Sequence, residues 1–531
     1  MNQNFIKITY SFILAIFDYN RGMNFKRNFL VITVALVGAL TITSCGSDSG
    51  FKHFEFIEEI DDKHEDISGE GFVKPGKYSS YKVLDKEENE VSLGSSYDVF
   101  KNYGGASHIP SEGEQKIIVV PVQFVDYRTD KLNLTPEGYV EAIKKAFFGN
   151  TKNNAYVSVG EYFNRSSYGK LKLDGKVCDK VYTFPLSVKE IKEKKLKRDA
   201  IATEYYKKVI DWYKENYTDI SNYEVSGLKT GKNVPIYMVY TYPSDANNES
   251  DPEKFFWAYT FADTPISWSS ASFMYLQYGE PDAHTYIHET GHLLGLTDYY
   301  PTNIETKKID KETEKDEPVI PEPTGRIDMM DCSIGDETSF SKMFLNWSRP
   351  INIIDSCEIS LASFTETGDV ALIGNNWNGT VFDDYYLFEY YTPTGLNAYD
   401  VSVGNNQARL PKVPGIKIYH VDARLASFTK SKIFVNYCDG NKNDLENCFI
   451  GFAHDNNTYE NPQDYQKNYL YTLILNHQNG IKGECATDAS LFRVGDKIPE
   501  LTFADGTSIG YNIELKSASF GQITINFQKA K

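Results

Sequence analysis

The sequence HETGHLLGLTDYY (residues 288–300) combines the spacing of a helix with side chains that bind metal ions. At 3.6 residues per turn, His288 and His292 lie one turn apart on the same helix face. Two imidazoles on one face can bind a single zinc ion at about 2.0–2.1 Å from each nitrogen. Glu289 points about 100° round the helix, where its carboxylate can reach a metal-bound water molecule. The spacing therefore predicts two metal ligands and one general base.

Two further residues extend the pattern beyond the helix. Gly295 is expected to end the helix, because glycine readily adopts the left-handed conformation that reverses the chain. The reversal can return Asp298 as a third ligand, and three protein ligands leave the fourth position open, as in catalytic zinc sites. His284, one turn before the first ligand, is expected to be a neighbouring or surface group. The alternative, an amphipathic helix with incidental histidines, is disfavoured by the complete spacing.

A second motif follows in GRIDMMDCSIGDETSFSKMFLNW, residues 325–347. Two methionines in a turn rich in glycine and aspartate are typical of the Met-turn, the loop beneath the metal of metzincin proteases. Of Met329 and Met330, we predict Met330 for the position under the histidines. The alternative is that both methionines are ordinary core residues.

Size, composition and charge limit the protein class. The chain has 531 residues, which predicts two or three domains. Its hydrophobic content of 41% is ordinary for a soluble globular protein. Its net charge of -18 argues against a nucleic-acid partner, because no basic stripe is available to neutralise phosphates.

The N-terminus has the pattern of a bacterial lipoprotein signal. A basic start at residues 23–28 precedes an apolar run at 29–42, which is too short to span a bilayer comfortably. We predict that residues 23–45 are the signal peptide, that Cys45 is lipidated, and that residues 1–22 are a doubtful upstream extension. An ordinary cleaved signal or an uncleaved anchor is the alternative. Lipidation places the protein in the bacterial cell envelope, facing the outer membrane or the cell surface.

The other cysteines are even in number, which permits disulfides outside the cytoplasm. They are Cys178, Cys332, Cys357, Cys438, Cys448 and Cys485. Cys438 and Cys448 bracket a polar loop that one bridge could close, and the other pairings stay open. The same loop contains DGNKND (residues 439–444), whose oxygen-rich side chains could hold calcium, although a solvated loop is the favoured interpretation.

The first half of the chain alternates between strands and helices. Residues 46–113 are polar and predict a flexible tether followed by a partly ordered leader, a possible propeptide, with order starting at Lys116. Residues 114–350 predict an α/β catalytic domain. Its predicted elements are strands at 116–127 and 234–242, a helix at 135–149, a helix and a strand within 158–177, and a long charged helix at 188–217.

The second half of the chain has a different pattern of apolar and turn-forming residues. Within residues 351–531, short apolar runs are separated by glycine, proline and asparagine, which predicts an antiparallel β-sandwich. Its clearest strands are expected at 384–391, 415–422, 469–476 and 522–527. The predicted fold class is therefore a mixed α/β (α+β) zincin-type catalytic domain followed by a β-sandwich domain.

The motif residues 288–300, followed by DMMD, GD and FSKMFLNW, resemble the immune inhibitor A family of secreted bacterial zinc metalloproteases. Residues 158–177, 385–400 and 415–425 resemble other segments of that family, so the similarity covers about 116–425. The resemblance implies a metzincin-like zinc endopeptidase with a β-sandwich after the catalytic domain, often with structural calcium. Carried over residue by residue, it implies zinc ligands at His288, His292 and Asp298, the base at Glu289 and the Met-turn residue at Met330.

The sequence departs from the family pattern in several places. Asn346 stands where the family tends to have glycine. Cys332 lies two residues past the Met-turn methionine, where some metzincins place a tyrosine that assists catalysis. Tyr299 and Tyr300 are the candidates for that assistance. The inserted residues 303–325 are charged and proline-rich, and surface variation is favoured over a role in gating substrates.

The sequence leads to one principal hypothesis and two alternatives. The principal one is a lipid-anchored zinc endopeptidase that hydrolyses extracellular proteins or peptides, in an oligomeric state that the sequence does not define. One alternative is a catalytically inactive surface-binding lipoprotein, against which the intact Glu289 argues. The other is a metal-dependent amidase that acts on non-protein substrates.

Overall fold

A computed structural model describes part of the chain. The described residues are 51–59, 67–76, 78–85, 90–92, 109–149, 156–227, 231–244, 255–263, 266–273, 281, 283–300, 323–331, 333–402, 410–429, 434–437, 443–444, 448–457, 469–476, 486–519 and 521–531. The predicted signal peptide and Cys45 lie outside them. Within the described ranges, no helix is both long and apolar enough to cross a bilayer.

The strands of the first half are numbered in chain order. They are β1 (Phe51–Glu59), β2 (Ile67–Gly69), β3 (Phe72–Lys74), β4 (Ser80–Asp85), β5 (Glu90–Ser92), β6 (Gly113–Phe124), β7 (Leu171–Val177), β8 (Tyr182–Phe184), β9 (Val225–Gly227), β10 (Gly231–Asn233), β11 (Ile236–Tyr240), β12 (Tyr259–Asp263) and β13 (Ile266–Ser272).

The second half adds further strands. They are β14 (Ile351–Ile353), β15 (Cys357–Ala362), β16 (Val370–Gly374), β17 (Asp384–Tyr391), β18 (Gly415–Asp422), β19 (Leu425–Thr429), β20 (Phe434–Tyr437), β21 (Asn443–Asp444), β22 (Cys448–Phe452), β23 (Tyr471–Ile474), β24 (Tyr511–Ser519) and β25 (Gln522–Lys529).

The described α-helices are also numbered in chain order. They are α1 (Pro136–Phe148), α2 (Val159–Ser166), α3 (Val188–Glu193), α4 (Arg198–Asn216), α5 (Ala283–Leu293), α6 (Ser339–Phe344), α7 (Phe364–Thr367) and α8 (Ala398–Ser402). Short 3-10 helices occur at Thr129–Leu132, Ile220–Tyr223 and Gly395–Asn397.

The first large sheet has the strand order β12-β13-β11-β6-β7, and β8 also pairs with β6. The strands β13, β11, β6 and β7 run parallel, whereas the edge strand β12 is antiparallel to β13. On one face, Ile117 and Val119 of β6 pack into the core that contains α5. On the other face, Ile118 and Val120 pack with side chains of α4. Because helices cover both faces of the sheet, both faces of β6 are buried, and its sequence is a continuous run rich in β-branched residues.

One predicted helix is wrong, and another is confirmed. The helix predicted at 135–149 is α1, whose first turn is capped by Thr135, with its side chain accepting a hydrogen bond from Gly138 N. The single helix predicted at 188–217 is instead two helices, α3 and α4. Between them, Lys195 adopts a left-handed backbone with φ 48. Because residues 192–195 (KEKK) have no apolar side chain, nothing holds a continuous helix on the sheet there.

The second large sheet has the order β2-β3-β14-β16-β17-β18-β23, and its central strands β17 and β18 are buried on both faces. Along β17, Leu387 packs into the core shared with α5 and α6, and Phe388 packs the opposite way. Neighbouring β18 alternates likewise, with Tyr419 and Ile418. The outer face contacts a three-stranded sheet of order β15-β25-β24. The hydrophobic core therefore runs without interruption across residue 350, and the domain boundary predicted there stays a prediction.

The predicted fold class is confirmed at the level of a mixed α/β protein with several sheets. The segment before Lys116 departs from expectation, because regular structure begins earlier. Strand β3 pairs with β14, and Gly71 O accepts hydrogen bonds from Ile354 N at 2.9 Å and from the next amide at 3.0 Å. Lys74 forms an ion pair with Asp369 at 2.8 Å. The partners of this segment are about 280 residues away, so local patterns could not reveal the pairing.

Candidate metal centre

The helix α5 ends where the glycine pattern predicts. Its last turn closes through Leu294 N, which donates to Thr290 O at 3.1 Å. Leu296 N then donates to Gly291 O at 3.1 Å, and Gly295 adopts φ 100 between them. This left-handed residue turns the chain back toward the helix. The segment that follows therefore returns along the face that carries the histidines.

The reversal brings His288, His292 and Asp298 together. Nε2 of His288 lies 3.0 Å from Asp298 Oδ1, and Nε2 of His292 lies 3.3 Å from the same oxygen. The two imidazole rings are perpendicular, with centroids 4.9 Å apart. Among the described residues, this is the only group of three or more metal-ligating side chains whose donor atoms lie within 4.8 Å of one another.

The second nitrogen of each imidazole is held by the backbone. His288 Nδ1 lies 2.9 Å from Met329 O, and His292 Nδ1 lies 2.8 Å from Leu296 O. A carbonyl can only accept, so each Nδ1 carries a proton. In the neutral tautomer this leaves the Nε2 lone pair of each ring directed at the shared point, the orientation that metal-bound histidines require.

The electrostatics of the group fit a divalent cation. Burial lowers the pKa of His292, but the charge of Asp298 outweighs it and raises that pKa to about 9. Burial likewise opposes protonation of His288, but the hydrogen bond to Asp298 raises its pKa. Burial disfavours ionised Asp298, yet the two imidazoles hold its pKa well below its usual range. Two protonated imidazoles and one carboxylate carry one net positive charge. Replacing the two protons by one divalent cation preserves that charge, so the donor set fits such an ion.

The segment predicted to be a Met-turn lies directly against α5. A Cβ at Gly291 would lie 2.4 Å from Sδ of Met330, so only glycine leaves room for this thioether. The turn is held by Asp328, whose Oδ1 accepts from Met330 N at 2.7 Å and whose Oδ2 accepts from Thr338 N at 3.0 Å. Both methionines are buried, but they differ in what they supply. Met330 supplies its side chain, and Met329 supplies the carbonyl that orients His288.

Glu289 has contacts that the sequence did not reveal. Its side chain is only 5% exposed, and Thr260 Oγ1 donates to its Oε2 at 2.7 Å. Thr260 lies on β12 opposite Ser269 of β13, and both hydroxyls face α5. The strand β12 and its register with β13 bring them to Glu289. No local motif marks either residue, so only the sheet pairing identifies them.

The two candidate assisting tyrosines lie in different surroundings. The ring of Tyr300 lies 6.3 Å from the ring of His288, with 24° between their planes. Tyr299 is 1% exposed, and its hydroxyl hydrogen-bonds with Ser341 Oγ at 3.0 Å. Of the two, Tyr300 is therefore the one whose ring lies beside His288. His284 is also buried, and burial together with neighbouring His288 lowers its pKa to about 3. It is not one of the three converging side chains.

The asparagine that departs from the family pattern occupies a glycine-like conformation. Asn346 has φ 69, in the left-handed region that glycine and asparagine tolerate best. Its Nδ2 donates to Glu112 Oε2 at 2.8 Å. The exchange of glycine for asparagine therefore fits the backbone. Cys332, the other departure, lies outside the described residues.

The structure describes some of the cysteines and part of the polar loop at residues 439–444. Cys178 and Cys357 are buried and unpaired, so neither forms a disulfide. Burial raises the pKa of the Cys178 thiol to about 12, which keeps it protonated. Cys332, Cys438 and Cys485 lie outside the described residues. Of the polar loop at residues 439–444, only Asn443–Asp444 is described, as β21.

Comparison with protein-family models finds no match for this chain, and a search of curated proteins finds none either. The resemblance to the immune inhibitor A family therefore rests on the motif residues.

Proposed function

We propose that the protein is a cell-surface zinc-dependent endopeptidase that hydrolyses extracellular proteins and peptides, and that it resembles the immune inhibitor A family. One observation carries the proposal: His288, His292 and Asp298 converge on one point, with Glu289 on the same helix. We propose that residues 114–350 form the zincin-type catalytic domain and that residues 351–531 form the β-sandwich domain.

His288, His292 and Asp298 would hold the zinc ion. Zinc held there would acidify a water molecule and polarise the carbonyl of the scissile bond. Glu289 would accept the proton of the attacking water and then donate it to the departing amine nitrogen. The carbonyl oxygens of Met329 and Leu296 hold Nδ1 of both imidazoles, which leaves each Nε2 as the nitrogen for the ion.

The surroundings of the site suggest what the neighbouring side chains do. Tyr300 lies beside His288, and we propose that it, rather than Tyr299, assists catalysis by donating a hydrogen bond to the substrate carbonyl oxygen. Met330 supports the helix from below. Structural calcium, as the family resemblance implies, is part of the same proposal. A lipid on Cys45 would hold the protein at the membrane.

The test compares zinc content and casein cleavage in the purified protein and in its Glu289→Ala variant. We expect about one zinc ion per chain in both, because Glu289 is not a ligand. Only the parent protein should cleave casein. Absence of zinc in the parent, or equal cleavage by the variant, would contradict the proposal. Gelatin and cell-wall fragments, tested alongside, distinguish an endopeptidase from a non-protein amidase.

A further inference from the structure

Two hydroxyl groups from neighbouring strands lie against the predicted general base. Thr260 Oγ1 is 2.7 Å from Oε2 of Glu289 and 2.9 Å from the backbone oxygen of the same residue. Ser269 Oγ is 2.7 Å from Thr260 Oγ1 and 3.3 Å from that backbone oxygen. Thr260 and Ser269 are directly paired across β12 and β13. The edge of the sheet therefore presents a connected pair of hydroxyls to Glu289.

The geometry of this contact fixes one side of the carboxylate. Thr260 Oγ1 donates its hydrogen to Oε2 of Glu289 and accepts one from Ser269 Oγ. The backbone oxygen of Glu289 lies 2.9 Å from the same hydroxyl. Oε2 is therefore held by a hydroxyl that is itself held by the neighbouring strand.

We infer that Thr260, supported by Ser269, is a positioning residue for Glu289 during proton transfer. The inference rests on the proposed function, in which Glu289 accepts a proton from water and passes it to the amine. In this inference Thr260 holds Oε2 in place, so that the other carboxylate oxygen, Oε1, serves as the atom that accepts the proton. The β-branched side chain of threonine restricts χ1, which fixes the hydroxyl more firmly than a longer side chain would.

The buried setting makes the contact specific. Glu289 is 5% exposed, so water does not readily replace a lost hydrogen bond to its carboxylate. Without the hydroxyl, Oε2 turns toward another donor and the carboxylate moves away from the water that it must deprotonate. Misplacement of a reacting group by about 1 Å costs on the order of 10²-fold in rate. The effect should therefore appear in kcat and leave zinc binding intact.

The test uses Thr260→Val, which keeps the shape of threonine, and Thr260→Ser, which keeps the hydroxyl. For cleavage of a fluorogenic peptide derived from casein, we expect Thr260→Val to lower kcat by about 10- to 100-fold. KM should change less than about twofold, since ground-state binding is untouched. Thr260→Ser should retain kcat within about threefold, and zinc content should equal that of the parent in both variants. If Thr260→Val does not fold, Ser269→Ala replaces it, with an expected loss in kcat of about threefold.

A binding measurement separates positioning from a general structural effect. Calorimetry with a peptide hydroxamate should show about tenfold weaker binding to Thr260→Val, because the hydroxamate also hydrogen-bonds to the base. In the Glu289→Ala background the same substitution should change affinity less than about twofold, since Thr260 acts through Glu289.

Several results would overturn the inference. Thr260→Val with the kcat of the parent removes the positioning role and leaves the protease proposal standing. If Thr260→Val weakens hydroxamate binding equally in the parent and in the Glu289→Ala background, Thr260 has a structural role only. The same follows if Thr260→Val loses its zinc. A parent protein that neither binds zinc nor cleaves peptides removes the proposed function and this inference together.

Discussion

Within the described residues, a half-buried group and a buried group of histidine and aspartate are built differently. In the first group, His288 and His292 both lie against one oxygen of Asp298, at 3.0 and 3.3 Å. In the second group, on β17 and β18, His420 Nε2 lies 2.9 Å from Asp384 Oδ1. The other imidazole of this group, His454, lies beside a different carboxylate, that of Asp422. Only the first group directs two imidazole nitrogens and a carboxylate at a single point.

The carboxylates of the second group are already occupied by other donors. Asp422 accepts from both Nε and Nη2 of Arg424 at 2.7 Å, and His454 Nε2 lies 3.1 Å from its Oδ2. Asp384 Oδ2 accepts from Ala504 N at 2.8 Å. Identical residue types therefore give a structural network in one place and a candidate metal centre in the other. The two groups differ in whether their nitrogen and oxygen atoms point at one position, and in whether those atoms are already used in hydrogen bonds to other residues.

The largest expected effect comes from removing one imidazole from each group. His288→Ala should weaken zinc binding by about 10³-fold, because a two-ligand site remains. His420→Asn should leave zinc affinity within about twofold, since His420 is outside the converging group. Competition with a chromophoric chelator measures both affinities. Equal weakening in the two variants would show that the comparison is wrong.

Removal of zinc from the parent protein should lower stability by a smaller amount. Binding to the folded state alone contributes about 2.7 kcal/mol at a free zinc concentration 100 times Kd. Thermal unfolding with and without a chelator measures the difference. His288→Ala is the control, and its unfolding should not respond to zinc. An unchanged melting temperature in the parent would mean that the three side chains do not bind the ion in the folded protein.

The second group should reveal itself through pH. Burial opposes ionisation of Asp422, but Arg424 and His454 outweigh it and lower its pKa to about 2. The pKa of Asp422 in the folded protein lies below that of an unfolded aspartate, about 3.9. Ionised Asp422 therefore contributes its full share to the free energy of unfolding above about pH 4, and this contribution is lost as the pH falls toward 2. It amounts to about 2 kcal/mol.

Asp422→Asn should therefore be less stable than the parent at pH 7, with a gap that narrows below about pH 4. Denaturant unfolding at pH 7, 5, 4 and 3 follows the gap. Glu358→Gln, an exposed change on β15, serves as the control and should give no pH-dependent gap. If the difference in the free energy of unfolding between the parent and Asp422→Asn stays constant from pH 7 to pH 3, ionised Asp422 does not stabilise the second group.

The smallest expected effect concerns the support beneath the first group. Gly291→Ala places a Cβ 2.4 Å from Met330 Sδ, so the thioether must shift. Overpacking of this kind costs about 1–3 kcal/mol, and the better helix propensity of alanine returns up to about 1 kcal/mol. Chemical denaturation should show a net loss of about 1 kcal/mol. The double variant with Met330→Ala should lose the clash, and strictly additive losses would contradict the packing account.

The sequence predicts the parts of the site that depend on local spacing. The helix that carries His288 and His292 is Ala283–Leu293, and Gly295 ends it as predicted, because histidine spacing and a terminating glycine are both local signals. The strands at 384–391 and 415–422 match β17 and β18 residue for residue. Their alternation is hidden, because both faces are buried, yet their turns are clear.

What the sequence could not predict depends on distant pairing. Thr260 reaches Glu289 only because β12 pairs with β13, and nothing near Thr260 in the chain signals a functional role. Strand β3 joins a sheet whose next strand lies about 280 residues away. The break between α3 and α4 reflects the lack of an apolar side chain in a four-residue stretch that otherwise reads as helix. Tertiary contacts decide all three features.

Zinc-edge X-ray absorption of the purified protein tests the central claim most directly, because it reports the atoms bound to the ion. We expect four ligands of nitrogen and oxygen at about 2.0–2.1 Å, including the scattering pattern of two imidazoles. His420→Asn should give the same spectrum, and His288→Ala should lose one imidazole contribution. A sulfur ligand at about 2.3 Å, or a spectrum without imidazole, would contradict the assignment of zinc to His288, His292 and Asp298.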